Sequence, residues 1–319
     1  MRPAEALWPD PGRWGWGMVR EGRLIASLMS RIPDHRKGLV YIVIAAMLWS
    51  SSGLFIKVLT LTAFQISFFR SLVAALTIVF VLRYRGRKPQ FHLRWADAAC
   101  TLCYALTVIL FVTATKLTTA ANAIFLQFTA PIYLLFLEPW VFQRPLKRMD
   151  VFAVLACLGG MALFFGGHLE LGGMLGNLLA ILSGLCLATF SIILKWKRVT
   201  HPLEDPISAI ILGNLAVGLL CLPFVFPVSV TLNQTISLIY LGVFQLGISF
   251  MLFTAGQRYV SATAAAITSM LEAVFNPVWV FLGIGERPSP FGLAGAVVVL
   301  GVILWYNLRG LQSTEGHGS

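Results

Sequence analysis

Charge is scarce in this sequence. Asp, Glu, Lys and Arg make up only 12% of its 319 residues, roughly half the share of a soluble domain. Hydrophobic residues make up 58% and the mean hydropathy is +0.81. Water is therefore the wrong solvent for most of the chain, and lipid is the right one. Histidine is scarce too: there are five, all in predicted loops or tails, which argues against a buried metal centre or a histidine proton relay. The five cysteines, Cys100, Cys103, Cys157, Cys186 and Cys221, fall inside apolar runs and read as small packing residues. Cys100 and Cys103 form a C-x-x-C pair, but no second pair or nearby His completes a zinc site.

Motifs of chemistry are missing as well. There is no H-E-x-x-H, no paired carboxylates and no serine with a base beside it, so no residue is assigned a catalytic role. No Gly-rich nucleotide loop or phosphoryl-transfer motif is present, so an ATP-driven pump would need a partner protein. No cofactor, metal or nucleic acid is called for. The alternation of a membrane β-barrel is absent, which leaves helices as the way to satisfy backbone groups in lipid.

What is present is a series of apolar runs. About 18–20 such residues span the hydrocarbon layer as a helix. Ten candidates lie at roughly 38–58, 63–82, 95–114, 119–142, 149–166, 172–194, 206–226, 235–256, 262–283 and 289–307, boundaries good to about 2–4 residues. The expected fold is an all-α integral membrane protein of ten transmembrane helices in one bundle. The net charge of +11 then reads as topology, because cytoplasmic loops gather Lys and Arg. With the N-terminus inside, 20 of the 24 basic residues lie on that side. Lys57, Lys116 and Arg287 lie on the other, and Arg70 lies within a span. Both termini are therefore expected in the cytoplasm of a multi-pass cell-membrane protein. Residues 1–37 form a cytoplasmic segment. Its first 28 residues, with "WPDPGRWGWG", are expected to be disordered or to precede a start at Met29. Residues 309–319 form a polar tail.

The chain also repeats itself. "LFVTATKLTTA" (110–120) parallels "LFTAGQRYVSA" (252–262), "FQRPLKR" (142–148) parallels "GERPSPF" (285–291), and "FIK" (55–57) parallels "ILK" (193–195). The offsets are 138–143 residues. Residues 38–166 and 172–308 thus read as two copies of a five-helix unit. Five is odd, so the second copy enters the membrane inverted, an arrangement of secondary transporters with the substrate near the midplane between the halves.

These features resemble the EamA family of the drug/metabolite transporter superfamily. The residues that carry the resemblance are "TTAANA" (118–123) and "SATAAA" (261–266) at the entry to each fourth span. Pro131 and "LEAVFNP" (271–277), "QRP" and "GERP", and a Gly/Ala-rich last helix in each half complete it. The resemblance covers about residues 38–308. It implies a transporter of small metabolites, such as an exporter of amino acids, or a carrier of nucleotide-sugars, phosphorylated sugars or cationic drugs. Acids stand at Glu272 and Glu286 in the second half, against Thr129 and Gln143 in the first.

Within the spans, polar and aromatic residues recur at similar depth. Asn122, Thr129 and Tyr133 share a face of the fourth span, and Thr268, Glu272, Asn276 and Trp279 share one of the ninth. Trp49 and Ser50 stand in the first, Tyr104 and Thr107 in the third, Gln245 and Ser249 in the eighth. Each is either an interhelical hydrogen bond, worth about 0.6 kcal/mol on average, or part of a wet cavity; several at one depth favour the cavity. Pro131 and Pro277 are candidate hinges.

Glu272 is ten residues or so from either end of its span, where an ionised side chain costs about 2.5–3.5 kcal/mol on insertion scales. Three readings follow: it carries a proton, binds a substrate ammonium, or pairs with Arg70. The function expected is a secondary transporter moving a small polar metabolite, an amino acid or related compound, outward by alternating access at a cavity between the repeats. Its partners would be a small-molecule substrate and the bilayer, and a monomer would suffice. A non-transporting receptor or structural protein and an integral membrane enzyme are the alternatives of other classes.

Overall fold

The structure is a computed structural model, and it describes residues 34–91, 94–165, 173–201, 204, 206–284 and 290–315. The expectations for residues 1–28, for Glu286 and for the end of the tail lie outside these residues. Among the described residues fourteen α-helices run in chain order: α1 (Asp34–Trp49), α2 (Ser52–Val58), α3 (Ala63–Tyr84), α4 (Trp95–Leu117), α5 (Ala120–Gln127), α6 (Ala130–Phe142), α7 (Arg148–Phe165), α8 (Met174–Thr200), α9 (Ile207–Cys221), α10 (Leu232–Tyr240), α11 (Ser249–Gly256), α12 (Ala262–Ser269), α13 (Leu271–Ile284) and α14 (Pro290–Glu315). A short 3₁₀ turn, Leu222–Phe224, extends α9, and a π-helical stretch, Leu241–Ile248, joins α10 to α11. No strand occurs among the described residues.

Eight helices among the described residues are long and apolar enough to cross a membrane. The first pairs α1 with α2, the fourth covers Asn122–Phe142, and the seventh runs Leu232–Gly256 through the π-helical stretch. The two remaining sequence candidates, 149–166 and 262–283, are also helical, as α7 and as α12 with α13.

Four of the predicted runs are not the uninterrupted α-helices that hydropathy suggests. The first breaks at Ser50–Ser51, the fourth at Phe128–Thr129 and the ninth at Met270, while the eighth carries the π-helical stretch. Hydropathy averages over a window and is blind to such breaks, because one or two residues, even polar ones such as Ser50, Ser51 and Thr129, barely change the mean of a long apolar run.

Helix ends are defined by ordinary local chemistry. Thr62 accepts from the N–H of Gln65 at 3.3 Å, while the Gln65 side chain takes the Thr62 N–H at 3.0 Å. This reciprocal box occupies donors that helix starts leave free. Thr231 and Gln234 repeat it at the start of α10.

Contacts between helix ends sort them onto two levels. At one level the end of α2 reaches the end of α4, through Lys57 Nζ and the carbonyl of Thr118 at 2.8 Å. The start of α8 joins them, with Thr118 Oγ1 donating to Asn177 Oδ1 at 2.9 Å. At the other level a buried ion pair links Asp97, in the first turn of α4, to Lys197, in the last turn of α8. Between these ends Ser183 Oγ of α8 donates to the Thr107 carbonyl of α4 at 3.0 Å. Thus α4 and α8 lie antiparallel through the core. Around them α9 packs on α3 and α4, α11 on α1, and α14 on α7.

Gly184 of α8 sits against the break in the fourth run. A Cβ there would meet the Gln127 carbonyl oxygen at 2.6 Å and Thr129 Oγ1 at 3.0 Å, so backbone would have to move. Gly159 of α7, by contrast, has nothing within 4 Å of an added Cβ. Replacing Gly184 by Ala is expected to cost about 1–3 kcal/mol through overpacking, and Gly159→Ala to be neutral or mildly stabilising through helix propensity. Thermal melting of the two variants in one detergent checks this; equal melting temperatures would contradict the close approach at Gly184.

Candidate functional site

The fourth and ninth runs are broken alike. Thr119 caps α5 by accepting from the N–H of Asn122 at 3.0 Å, and Ser261 caps α12 by accepting from that of Ala264 at 3.0 Å. Each cap opens a helix of eight residues. At the first break the Thr129 N–H donates to the Leu126 carbonyl and the Ile132 N–H to that of Thr129, at 3.2 and 2.9 Å. At the second the Met270 N–H donates to the Ile267 carbonyl and the Ala273 N–H to that of Met270, both at 3.1 Å. These are tight three-residue turns, and each lies 141 residues from its counterpart.

The turn before each cap is held by a lysine. Lys57 donates to the carbonyl of Thr118 at 2.8 Å, and Lys195 to those of Val260 and Gln257 at 2.6 and 2.8 Å. In the second half the Glu138 carboxylate adds to this, accepting from the N–H groups of Ala262 and Thr263 at 3.1 and 2.7 Å. A carboxylate there satisfies free donors and complements the helix dipole.

Between the breaks lies a cavity with an empty volume of about 720 Å³, counting the space at its mouth. Its wall takes Gln127, Phe128, Ala130 and Pro131 from the first break, and Ala266, Ser269 and Glu272 from the second. Trp49 comes from the end of α1, Arg70 from α3, Thr107 and Phe111 from α4, and Leu187 and Ser191 from α8. Gln245, in the π-helical stretch, and Phe250 and Phe253, in α11, complete one side. The discontinuities of the fourth, eighth and ninth runs thus meet in one place, where π-turns and broken helices often serve function.

Of the candidates named from sequence, Trp49, Gln245, Glu272 and Pro131 line this cavity, as does Arg70. Others take structural places around it. Tyr104 is fully buried: its hydroxyl accepts from Asn214 Nδ2 at 2.9 Å and its ring packs edge-on to Phe250. Ser50 accepts from the Trp279 indole N–H at 2.7 Å, and the Ser50 carbonyl accepts from Asn276 Nδ2 at 2.7 Å, which ties the end of α1 to α13 where the first run breaks at Ser50–Ser51. Asn122 Nδ2 donates to Thr118 Oγ1 and Asn177 Oδ1 at 3.1 and 3.2 Å, near the end of the bundle. Thr129 Oγ1 donates to the Leu126 carbonyl at 2.7 Å and lies 3.3 Å from the Tyr133 hydroxyl. Thr268 Oγ1 meets the Ala264 carbonyl at 2.8 Å and the Asn307 side chain at 3.3 Å.

Three expectations change. Asn122, Thr129 and Tyr133 do not form one stripe, because the break separates Asn122 from the other two. Neither proline sits at a mid-helix kink that makes the break: Pro131 is in the first turn of α6, where its missing N–H costs nothing, and Pro277 lies within α13, seven residues past Met270. Arg70 and Glu272 do not form an ion pair. The guanidinium instead gives Nη1 to Gln245 Oε1 at 3.3 Å and Nη2 to the Val108 carbonyl at 3.5 Å. By the register of the breaks, moreover, Glu272 corresponds to Pro131, not to Thr129. The Asp97–Lys197 pair went unforeseen, because each residue falls at the margin of an apolar run where charge is unremarkable.

Comparison with known proteins agrees with this architecture. The model of a family described as the EamA-like transporter family matches twice, over residues 36–166 and 174–308. Two uncharacterized transporters of Archaeoglobus fulgidus are each 26% identical to the chain, over 270 and 278 residues. These matches cover 84% and 81% of this chain and 96% and 93% of the relatives. The uncharacterized transporter YxxF of Bacillus subtilis is 24% identical over 271 residues, 82% of this chain and 86% of that protein. A protein solved by crystallography superposes with a TM-score of 0.71 at 16% identity, over 83% of this chain and 96% of that one; the likeness is one of fold.

Lys195→Met removes both bonds to the turn before α12 while keeping an apolar stem. Amide hydrogen exchange at 257–264 is expected to rise, with exchange at 118–124 unchanged. Unaltered exchange at 257–264 would show that the lysine does not hold that turn.

Proposed function

The chain belongs to the EamA-like transporter family, and from that membership we propose that it is a secondary transporter of a small polar metabolite. The solute is an amino acid or related compound, moved outward across the cell membrane. The carrying observation is the cavity at which both fourth-run breaks meet. Irregular backbone at membrane depth is tolerated where it lines a cavity or is buried in protein, and half-helix ends converging on one midplane space suit solute binding.

The chain crosses the membrane ten times as two inverted five-helix repeats, 38–166 and 172–308, with the cavity between them. Matching turns, caps and lysines at offsets of 138 to 142 residues support this. Both termini face the cytoplasm, a reading supported by the basic residues gathered at one level of helix ends. Alternating access exposes the cavity to each side in turn by rocking of one repeat against the other. Trp49, Gln245 and Glu272 contact the solute. Tyr104, Ser50, Asn276 and Trp279 hold those walls in place.

Counterflow in proteoliposomes tests the reading. Protein reconstituted with an amino-acid panel inside is expected to accumulate the labelled form of at least one member, and Trp49→Ala to weaken that uptake severalfold at normal protein abundance. An impermeant thiol reagent should reach a cysteine introduced at Arg87 only from the cytoplasmic side. Absence of movement for amino acids, nucleotide-sugars and cationic drugs alike would overturn the transporter reading.

A further inference from the structure

We propose that the cavity is a two-pole site that demands a zwitterion, with Arg70 holding the carboxylate and Glu272 the ammonium of an amino acid whose side chain is uncharged. This rests on the transporter reading above and assigns the chemistry of the same site.

Arg70 and Glu272 are the two ionisable side chains among the described lining residues. They are 1% and 8% exposed. Opposite charges buried in one wall would satisfy each other if they met, yet no ion pair joins them. Arg70 instead spends two of its five N–H donors on neutral oxygens at 3.3 and 3.5 Å, the long end of hydrogen bonding. Its Nε has no partner. No hydrogen bond or ion pair links the Glu272 carboxylate to another described residue. Glu272 does stand in the first turn of α13, where the helix dipole favours negative charge. Each pole is therefore held in place by its helix without being neutralised by a neighbour. Uncompensated buried charge is strongly unfavourable, and a ligand carrying both opposite charges relieves both poles at once.

The remaining wall sets the rest of the ligand. Phe111, Leu134, Leu187, Phe250 and Phe253 face the same space and offer an apolar seat. An amino acid with an aliphatic or aromatic side chain meets all three demands. A nucleotide-sugar or phosphate ester would bring its negative charges against Glu272, and a cationic drug would bring its charge against Arg70. The guanidinium fork suits a carboxylate in particular, which it can take through two parallel hydrogen bonds.

The test uses the full chain in proteoliposomes with labelled L-leucine, competed by two analogues that each lack one pole: isoamylamine, without the carboxylate, and 4-methylpentanoate, without the amine. Wild type is expected to move leucine and to bind each analogue about tenfold or more weakly than leucine, as loss of one charged hydrogen-bonding pole implies. Glu272→Gln should weaken leucine while leaving competition by 4-methylpentanoate undiminished. Arg70→Gln should weaken leucine while sparing isoamylamine. A merely structural role would weaken all three ligands together. If either variant fails to fold, wild-type selectivity alone decides. Equal binding of either analogue and leucine overturns the proposal, and so does preferential movement of a nucleotide-sugar or cationic drug; transport itself would then stand. No movement of any solute would remove both readings.

Discussion

Backbone N–H and C=O groups find no hydrogen-bonding partner in lipid, and the rest of this structure depends on that constraint. A helix can break at membrane depth only where the freed groups are satisfied or face a cavity. Here the breaks at Phe128–Thr129 and Met270 close on themselves through three-residue turns. Side chains secure what remains. The Thr129 hydroxyl takes the Leu126 carbonyl, and Gln127 Nε2 donates to Ser183 Oγ at 2.8 Å, whose own proton goes to the Thr107 carbonyl. That last chain fixes the first break to α8 and α4. Gly184 permits the approach by having no side chain to stand between. The cavity is the space that two such breaks leave when they are packed against a common core.

The two breaks share geometry and differ in charge. Their caps, turns and lysine anchors correspond position by position. Two residues past each turn the correspondence ends, with Pro131 in one half and Glu272 in the other. Proline there adds no donor and no charge. Glutamate adds a carboxyl group to the cavity wall, and Arg70, from a third helix, a guanidinium. A duplicated scaffold that supplies position and an unduplicated pair that supplies chemistry fit a site serving one asymmetric solute.

The fold was legible in the sequence to the extent that hydropathy and repetition carry it. Apolar runs located the helices, and the parallels "FIK" with "ILK" and "TKLTTA" with "QRYVSA" pointed to lysines and caps that share structural places. The break in "LQFTAP" was signalled only by its proline, which suits a helix start, and nothing in "TSMLEA" departs from helical composition; α8 and α1 pack on either side of the breaks. Pro131 and Pro277 drew attention to the right runs but to the wrong positions within them. Glu272 and Arg70 were conspicuous as charges at membrane depth, yet sequence could not separate pairing from facing. That distinction turned on Gln245, which the π-helical stretch brings to Arg70. Tyr104 stood out as a mid-span aromatic and became part of the wall's support, because Asn214 claims its hydroxyl.

The central claim is that solute binds where the two breaks meet. Cysteines introduced singly at Ser269 on one wall and Leu187 on the other, in a chain whose five native cysteines are replaced, test it most directly through protection from a small thiol reagent. Saturating leucine is predicted to slow labelling at both positions together. Unchanged labelling at both, while leucine counterflow proceeds, would contradict the account.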